Sequence, residues 1–313
     1  MEDFWLIVFE NLEAPIDFRE LGLTCKHAYL KLQRFQHKLK NCRHLERLLR
    51  MFPDKPWDWE WLSENPNITW EFRSSNHKLP WKYEYMSNNP NLTWKIISSS
   101  PRRRWNWFYI SANKNITWDI IKSNPDKKWN FFGFSRNPNL TWDIIKSNPD
   151  EHWNWDSISR HPNIGWDIIK SNPDTAWNWR EVSKNPNITW DIITSEPVKF
   201  VDWFYISQNP NITWDIIKAN PNLPWRWFWI SLNPTITWDI ITSNPQIPWV
   251  WNRVAKNPNI AWETIISDPV KFTYWCTISQ NPNLTWDIIK SNPDLPWDWR
   301  YMSLNTFNAK ISK

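Results

Sequence analysis

The sequence predicts an all-α protein in which a small N-terminal helical domain precedes an α-solenoid of about ten 24-residue repeats, each made of two helices. The first observation is a period without slips, because ten tryptophans recur every 24 residues and each heads a near-copy of TWDIIKSNP. The second is that only 3 glycines occur among 313 residues, so the turns of a β-protein are missing. Such a period is typical of a solenoid, whose units stack and present an extended surface. The ten tryptophans are Trp70, Trp94, Trp118, Trp142, Trp166, Trp190, Trp214, Trp238, Trp262 and Trp286.

Each copy holds two short helical segments, which we name after their first residues. In the TW segment, a threonine such as Thr213 stands where an N-cap oxygen is needed, and Asp215 favours the positive end of the helix. In the PW segment, a proline such as Pro224 presets the helical dihedral, so we expect that helix to begin at the proline. A strand is the alternative, since Ile212, Trp214 and Ile216 alternate with polar residues, but recurrent prolines disfavour it.

The array is expected to be an open, curved rod. A pair of two-turn helices cannot offset its own ordering entropy, whereas stacked pairs share interfaces. About ten pairs at roughly 10 Å each predict a rod on the order of 100 Å long, with atypical copies at its ends. The first copy has Glu71, Phe72 and Arg73 in place of Asp, Ile and Ile, and Thr306 replaces a proline at the other end.

Composition narrows the class of function. The 37 basic and 32 acidic residues are spread along the chain, with one basic run at Arg102, Arg103 and Arg104. No apolar stretch reaches the roughly 18 to 20 residues that span a bilayer, so we predict no membrane partner and an intracellular location. The 3 cysteines suit free thiols in a reducing compartment. No catalytic, cofactor or metal-ligand spacing occurs, which predicts a protein that is not an enzyme.

The PW segment separates scaffold from variable positions. The position of Trp59 is aromatic in every copy and that of Leu62, three residues on, is apolar in every copy, whereas the positions between them change chemistry from copy to copy. Variable positions on one ridge of a repeat array are typical of a surface that recognises a partner. Neutral drift on a solvated face is the alternative. Stacking of single-stranded bases on the aromatics is a further alternative, which the slight positive charge disfavours. The predicted partner-binding ridge comprises Tyr85, Phe108, Tyr109, Tyr205, Phe228, Trp229 and Tyr301.

The first 52 residues share nothing with the repeat. Their apolar residues recur at helical spacing, are interrupted near Pro15, and continue through Leu45, Leu48, Leu49 and Phe52. We therefore predict a three-helix domain. The predicted domains are residues 1–52, the repeat array at 53–305 and a C-terminal tail at 306–313.

The segment VFENLEAPIDFRELGLTCKHAYLKL resembles the F-box. The matching positions are Val8, Phe9, Leu12, Asp17, Phe18, Leu21, Leu23, Cys25, Lys26 and Tyr29. This resemblance covers a part of the N-terminal segment and implies a helical domain that docks on a Skp-type adaptor. The residues that it implies for docking are Val8, Phe9, Leu12, Phe18 and Leu21.

The whole chain, with an F-box-like start and asparagine-rich NPNITWDIIKSNPD copies, resembles repeat proteins encoded by giant DNA viruses of the mimivirus kind. The resemblance implies a role in host–virus interaction, as a subunit that docks on a host Skp and cullin ubiquitin ligase and holds an unknown target protein with its array. It also implies a location in the host cytoplasm, with the nucleus left open. Two alternatives remain open. The helical start can be a cap on the end of the solenoid, and the array can be a structural scaffold with no link to a ligase.

Overall fold

The computed structural model of the protein describes residues 44–307. The compact unit that contains the repeats begins at His44. It therefore includes Leu45, Leu48, Leu49 and Phe52, which the sequence analysis placed in the N-terminal domain. The docking residues implied by the F-box resemblance, and the tail from residue 308, lie outside the described residues. The docking residues are Val8, Phe9, Leu12, Phe18 and Leu21.

Between residues 44 and 307 the chain forms 22 short α-helices and no strand, which confirms the all-helical repeat and not the strand alternative. Odd numbers denote the helices of the TW layer, which are α1 His44–Met51 and the ten TW helices α3 Trp70–Ser75, α5 Trp94–Ser99, α7 Trp118–Ser123, α9 Trp142–Ser147, α11 Trp166–Ser171, α13 Trp190–Ser195, α15 Trp214–Ala219, α17 Trp238–Ser243, α19 Trp262–Ser267 and α21 Trp286–Ser291. Even numbers denote the PW helices, and they are α2 Trp59–Glu64, α4 Tyr83–Met86, α6 Trp107–Ala112, α8 Phe131–Phe134, α10 Trp155–Ser159, α12 Trp179–Val182, α14 Trp203–Ile206, α16 Trp227–Ile230, α18 Trp251–Val254, α20 Trp275–Ile278 and α22 Trp299–Met302.

The TW helices begin where the threonines predict. Thr69 adopts extended backbone angles, and its hydroxyl oxygen accepts a hydrogen bond from the Phe72 amide at 3.1 Å. The same bond is made at six further threonines and is missing at Thr93. Because these bonds satisfy an amide that the helix itself leaves free, they set the first residue of each TW helix.

The PW helices begin later than predicted, so the role given to proline was wrong. The helix that follows Pro56 starts at Trp59, and its N-cap is Asp58, whose carboxylate accepts from the amides of Glu60 and Trp61. An Asp or Asn occupies the same position in most copies, and its side-chain oxygen is a stronger start signal than the fixed dihedral of proline. The tryptophan directly after the proline, such as Trp57 or Trp225, lies before the helix and is buried in the core.

The core lies between the layer of TW helices and the layer of PW helices. Each PW helix buries its fourth residue, as at Leu62 and Ile230, which are 0% exposed. Between copies the rings meet edge to face, as where the centroids of Trp203 and Trp225 lie 5.0 Å apart at 88°. Large rings in this geometry give such short helices a shared apolar interior, which helices of one or two turns cannot build alone.

Buried asparagines join each copy to the one before it. The Asn137 side-chain amide donates to the carbonyls of Ser111, Asn113 and Ile116 at 2.8, 2.8 and 2.9 Å. The Ser111 hydroxyl in turn accepts from the Asn130 amide at 2.9 Å. These bonds reach carbonyl groups at the end of the preceding PW helix and in the loop that follows it, so the Asn-Pro sequence is a junction between copies as well as a helix stop.

The described array closes into a ring. The Asn65 side-chain amide in the first copy donates to the carbonyls of Ser303 and Asn305 in the last copy, at 2.8 and 3.0 Å. The Ser303 hydroxyl accepts from the Asp58 amide at 3.0 Å, as its counterparts do between consecutive copies. The predicted open rod with separate ends is therefore wrong, because the last PW helix packs against the first.

Helix α1 completes this ring by taking the place of a TW helix. It packs against α21, and Leu45 and Leu48 are 0% exposed. The Trp57 indole N–H donates to the Phe52 carbonyl five residues earlier, which is the bond that Trp81 makes to Asn76 in the next copy. The ring therefore consists of eleven helix pairs, from α1 with α2 to α21 with α22.

The PW helices form the inner layer of the ring. Consecutive PW helices are in close contact, as at Gly133, where an added Cβ would lie 2.3 Å from the Phe108 carbonyl oxygen. Both layers hold eleven helices, so the layer with the closer spacing has the smaller circumference. With axes roughly 8 to 10 Å apart, that layer is a circle about 30 Å across, and its side chains leave an opening on the order of 15 to 20 Å.

Candidate functional site

The inner surface of the ring is formed by the second, third and sixth positions counted from the first residue of each PW helix, and we call these positions the belt. In α2 these residues are Glu60, Trp61 and Glu64. The first, fourth and fifth residues turn toward the core, so the remaining positions face away from it. The belt thus repeats eleven times around the opening and carries a different set of side chains in each copy.

All seven residues of the predicted ridge lie in the belt, where they form separate clusters. The rings of Tyr301 and Trp61 meet across the closing junction, with centroids 5.4 Å apart. These two residues are far apart in the sequence, so only ring closure brings them together. Tyr85 lies in the second copy, where its hydrogen bond with the Glu60 carboxylate raises the pKa of the phenol. The belt positions of these first two copies include three acidic residues, Glu60, Glu64 and Glu84.

A second cluster surrounds Phe108 and Tyr109 in α6. Their ring centroids lie 5.2 Å apart, edge to face, and Phe132 in the next copy approaches Phe108 at 6.3 Å. The Arg136 guanidinium stands 5.2 Å from the Phe108 ring. Phe132 is 48% exposed.

The largest aromatic cluster lies on α14 and α16. Phe204 contacts Tyr205 at 5.2 Å and Trp229 at 5.6 Å, and Phe228 contacts Trp229 at 5.0 Å. Phe204 and Phe228 keep 44% and 37% of their surface exposed. Two adjacent copies thus present a continuous aromatic surface on the belt.

The sequence analysis did not include Phe132 and Phe204 in the ridge. Both occupy the second position of a PW helix, where the sequence also has Glu60, Asp156 and Arg180. The signal that identifies them is an aromatic residue at a position that is charged in other copies. Exposure, which only the structure shows, separates these two phenylalanines from the packed rings.

Unpartnered polar atoms adjoin the α14 and α16 cluster. The Arg253 guanidinium stacks over the Phe228 ring at 3.8 Å, and its Nε has no hydrogen-bond partner. Trp229 Nε1 and Asn252 Oδ1 are also buried and unpartnered. Burial lowers the pKa of Arg253, and burial together with the Arg253 charge lowers the pKa of Lys256. Donors, an acceptor and two positive charges are therefore available beside exposed aromatic rings.

Other charges of the belt are paired within it. Glu181 accepts from Arg160 at 3.2 Å and lies 2.7 Å from the Lys184 ammonium. Tyr205 is flanked by the Arg180 guanidinium at 5.9 Å and by Lys184 at 5.0 Å. Except for the Glu181–Lys184 pair, which lies within one copy, these contacts join neighbouring copies, and the two cations help to hold the Tyr205 ring in position.

Residues 44–307 contain no cluster of three or more His, Cys, Asp or Glu side chains that could hold a metal ion. His161 takes the place of a junction asparagine, so it is a structural residue. Its Nε2 lies 3.0 Å from the Asn137 carbonyl and its Nδ1 accepts from the Asn163 amide, an arrangement of the neutral ring. Burial lowers the pKa of His161 accordingly.

The fold and the belt define a closed ring of α-helical repeats that surrounds a variable inner surface. Comparisons with protein-family models, curated proteins and solved structures find no match to this chain. The F-box and giant-virus resemblances therefore stay predictions. No helix within residues 44–307 has the length and apolar character needed to cross a bilayer, and the location in the host cytoplasm stays a prediction.

Proposed function

We propose that the protein is a binding protein, not an enzyme, whose belt holds a target protein and whose N-terminal segment joins that target to a ubiquitin ligase. The observation that supports target binding is the aromatic surface on α14 and α16, where Phe204 and Phe228 are exposed beside the unpartnered Arg253 Nε. Aromatic residues and arginine are enriched among the residues that contribute most of the binding energy of protein interfaces.

The proposed link to a ligase rests on the resemblance of the N-terminal segment to the F-box. In this proposal a Skp-type adaptor binds Val8, Phe9, Leu12, Phe18 and Leu21, and the adaptor connects the chain to a host cullin. The ring is the rigid part that holds the target near the ligase. The alternatives are a scaffold ring without a ligase partner and a single-stranded nucleic-acid binder whose bases stack on the belt.

The test uses the full chain with two pairs of substitutions. Leu12→Asp with Phe18→Asp alters only the proposed adaptor surface, and Phe204→Glu with Phe228→Glu alters only exposed belt residues. Deletion of residues 1–50 is a poor test, because it removes most of α1 and so opens the ring. Purified Skp-type adaptor and cullin are added to each immobilised chain, and proteins captured from host lysate are identified in parallel.

We expect the N-terminal variant to lose adaptor and cullin while it keeps the target, and the belt variant to show the reverse. Loss of target binding with an intact array supports the belt as the binding surface. If wild-type chain captures neither adaptor nor cullin, the ligase link is wrong and the scaffold reading replaces it. Binding of single-stranded RNA that falls by orders of magnitude between low and moderate salt would favour the nucleic-acid alternative.

A further inference from the structure

One copy carries a charged residue in the core of the TW layer. Arg73 in α3 occupies the position that is isoleucine in all nine later copies, from Ile97 to Ile289. Arg73 is only 9% exposed. A guanidinium at such a site loses hydration, and this loss destabilises the fold unless a partner of opposite charge replaces the water.

No such partner is present among the described residues. None of the ion pairs within residues 44–307 involves Arg73 or Arg103. Arg73 Nε is buried without a hydrogen-bond partner, and the same is true of the Tyr83 hydroxyl. Burial and the Arg103 charge both lower the pKa of Arg73, in agreement with two cations that share a site without an acid.

The guanidiniums of Arg73 and Arg103 both lie against the ring of Tyr83. The Arg73 guanidinium carbon lies 4.9 Å from the centroid of the Tyr83 ring and 5.1 Å from that of Trp70. The Arg103 guanidinium carbon lies 4.5 Å from the same Tyr83 ring. A guanidinium packed against an aromatic face keeps its in-plane N–H donors free for a bidentate acceptor.

Neighbouring contacts hold this arrangement in place. The Tyr83 ring packs edge to face on Trp105 at 5.6 Å. Arg103 belongs to the basic run of the sequence, and it is exposed, as are Arg102 and Arg104 on either side of it. The site therefore has buried donors at its base and further positive charge at the surface, and it is built from residues outside the belt.

We propose that Arg73, Tyr83 and Arg103 form a binding site for a phosphate group, either inorganic phosphate or a phosphomonoester. Two guanidiniums supply paired N–H donors, and the phenol supplies one O–H donor. Phosphate at neutral pH carries a charge of about −1.5 to −2 and three strong acceptor oxygens, so it matches both the charge and the donors. A carboxylate has a single charge and leaves one cation of the site unpaired.

The experiment measures phosphate binding to the full chain by isothermal titration calorimetry, at constant ionic strength. Inorganic phosphate, O-phosphoserine and acetate are titrated separately. Phosphate is expected to bind more tightly than acetate by about tenfold or more, since it engages both guanidiniums. Tighter binding of O-phosphoserine than of inorganic phosphate identifies a phosphomonoester as the ligand, and the reverse order identifies the free ion.

Three substitutions and one control locate the site. Arg73→Ile restores the residue of the other copies, so the variant keeps its fold and is expected to lose about tenfold or more in phosphate affinity. Arg103→Ala is expected to lose a similar factor, and Tyr83→Phe a smaller one. Arg136→Ala removes another guanidinium that lies over an aromatic ring, that of Phe108, and is expected to leave phosphate affinity unchanged.

Thermal unfolding gives a second readout. Phosphate should raise the Tm of the wild-type chain and leave that of Arg73→Ile unchanged, because only a ligand-binding state is stabilised by its ligand. Phosphate affinity that is equal in the wild type and in Arg73→Ile would overturn the proposal. Equal binding of phosphate and acetate by the wild type, or no binding of either, would overturn it as well.

Discussion

The closing junction of the ring and an internal junction of the array use the same contacts, although only the internal one is covalently continuous. Asn137 bonds to the copy just before it in the chain, whereas Asn65 bonds to Ser303 and Asn305, about 240 residues later in the chain. The contacts of the junction therefore form whether or not a loop connects the two copies. Each pair adds about 33° of rotation, and a rotation that sums to a full turn closes a head-to-tail array.

The two junctions also differ in what fills the TW layer. Internal junctions have a TWDII helix on each side, whereas the closing junction has α1, whose sequence is His-Leu-Glu-Arg-Leu-Leu-Arg-Met. Phe52 after α1 packs on Trp299 at 5.0 Å, so an aromatic contact of a different origin supports the last PW helix. The geometry is thus preserved while the sequence is not.

The largest expected effect comes from a charge in α1. Leu48→Asp places a carboxylate at a position that is 0% exposed, which should cost about 3 to 5 kcal/mol of stability and separate α22 from α2. Small-angle scattering should show a larger radius of gyration, and unfolding in urea should begin earlier. Ile193→Asp in an internal TW helix is the matched variant, and its effect on stability should be similar. An unchanged radius and unfolding midpoint for Leu48→Asp would show that α1 does not close the ring.

A smaller effect is expected when one junction asparagine is replaced. Asn137→Leu removes the three hydrogen bonds that the Asn137 side chain donates and Asn65→Leu removes two, so each variant should lose about 2 to 4 kcal/mol. Urea unfolding followed by tryptophan fluorescence measures both. Asn222→Leu, at an exposed loop position, is the control and should be neutral. A neutral Asn65→Leu would mean that the closing junction contributes nothing to stability.

The next effect is a pH dependence that belongs to one copy. Burial lowers the pKa of His161 below its ordinary value of 6.5, so the unfolded chain binds a proton that the folded ring rejects. The stability contributed by this residue is therefore complete above about pH 6.5 and falls as the pH drops below it. His161→Asn restores the usual junction residue and should remove this part of the pH dependence. Tm measured from pH 5 to 8 tests it, and identical pH profiles for the two chains would contradict it.

The smallest effect is expected from the ion pair at the closing junction. Arg300 lies 3.2 Å from the Asp58 carboxylate, but its side chain is 66% exposed. Arg300→Met removes the charge and should cost about 0.2 to 1 kcal/mol at low salt and less at high salt, because exposed pairs are screened. Urea unfolding at two salt concentrations measures the difference. A cost above that range, insensitive to salt, would mean that this pair holds the ring closed.

The sequence predicted much of the local structure, because local signals determine it. The period gave the number of TW helices, and the threonines gave the starts of most of them, since one hydroxyl and one amide are enough for an N-cap. The start of the PW helices was missed because Asp58 and its counterparts compete with a nearby proline. Closure could not be predicted, because the angle between neighbouring pairs depends on how rings such as Trp203 and Trp225 pack.

The candidate surfaces, too, were predictable from the sequence only in part. The variable positions of the PW helix follow from comparison of the copies, so the belt was found before its shape was known. Which of its rings are exposed was not predictable, since Phe132 and Phe204 depend on what lies beside them in the next copy. Arg73 was recognised only as an atypical residue of the first copy, and its unpartnered guanidinium became visible when Tyr83 and Arg103 were placed around it.

Ring closure has a kinetic consequence. In an open array a terminal pair can fray by breaking one interface, and unfolding then proceeds inward from that end. A closed ring has no terminal pair, so the release of any pair requires two interfaces to break together. The barrier to unfolding rises accordingly, and we expect amide hydrogen exchange to be slow and nearly even around all eleven pairs, with no gradient from either end.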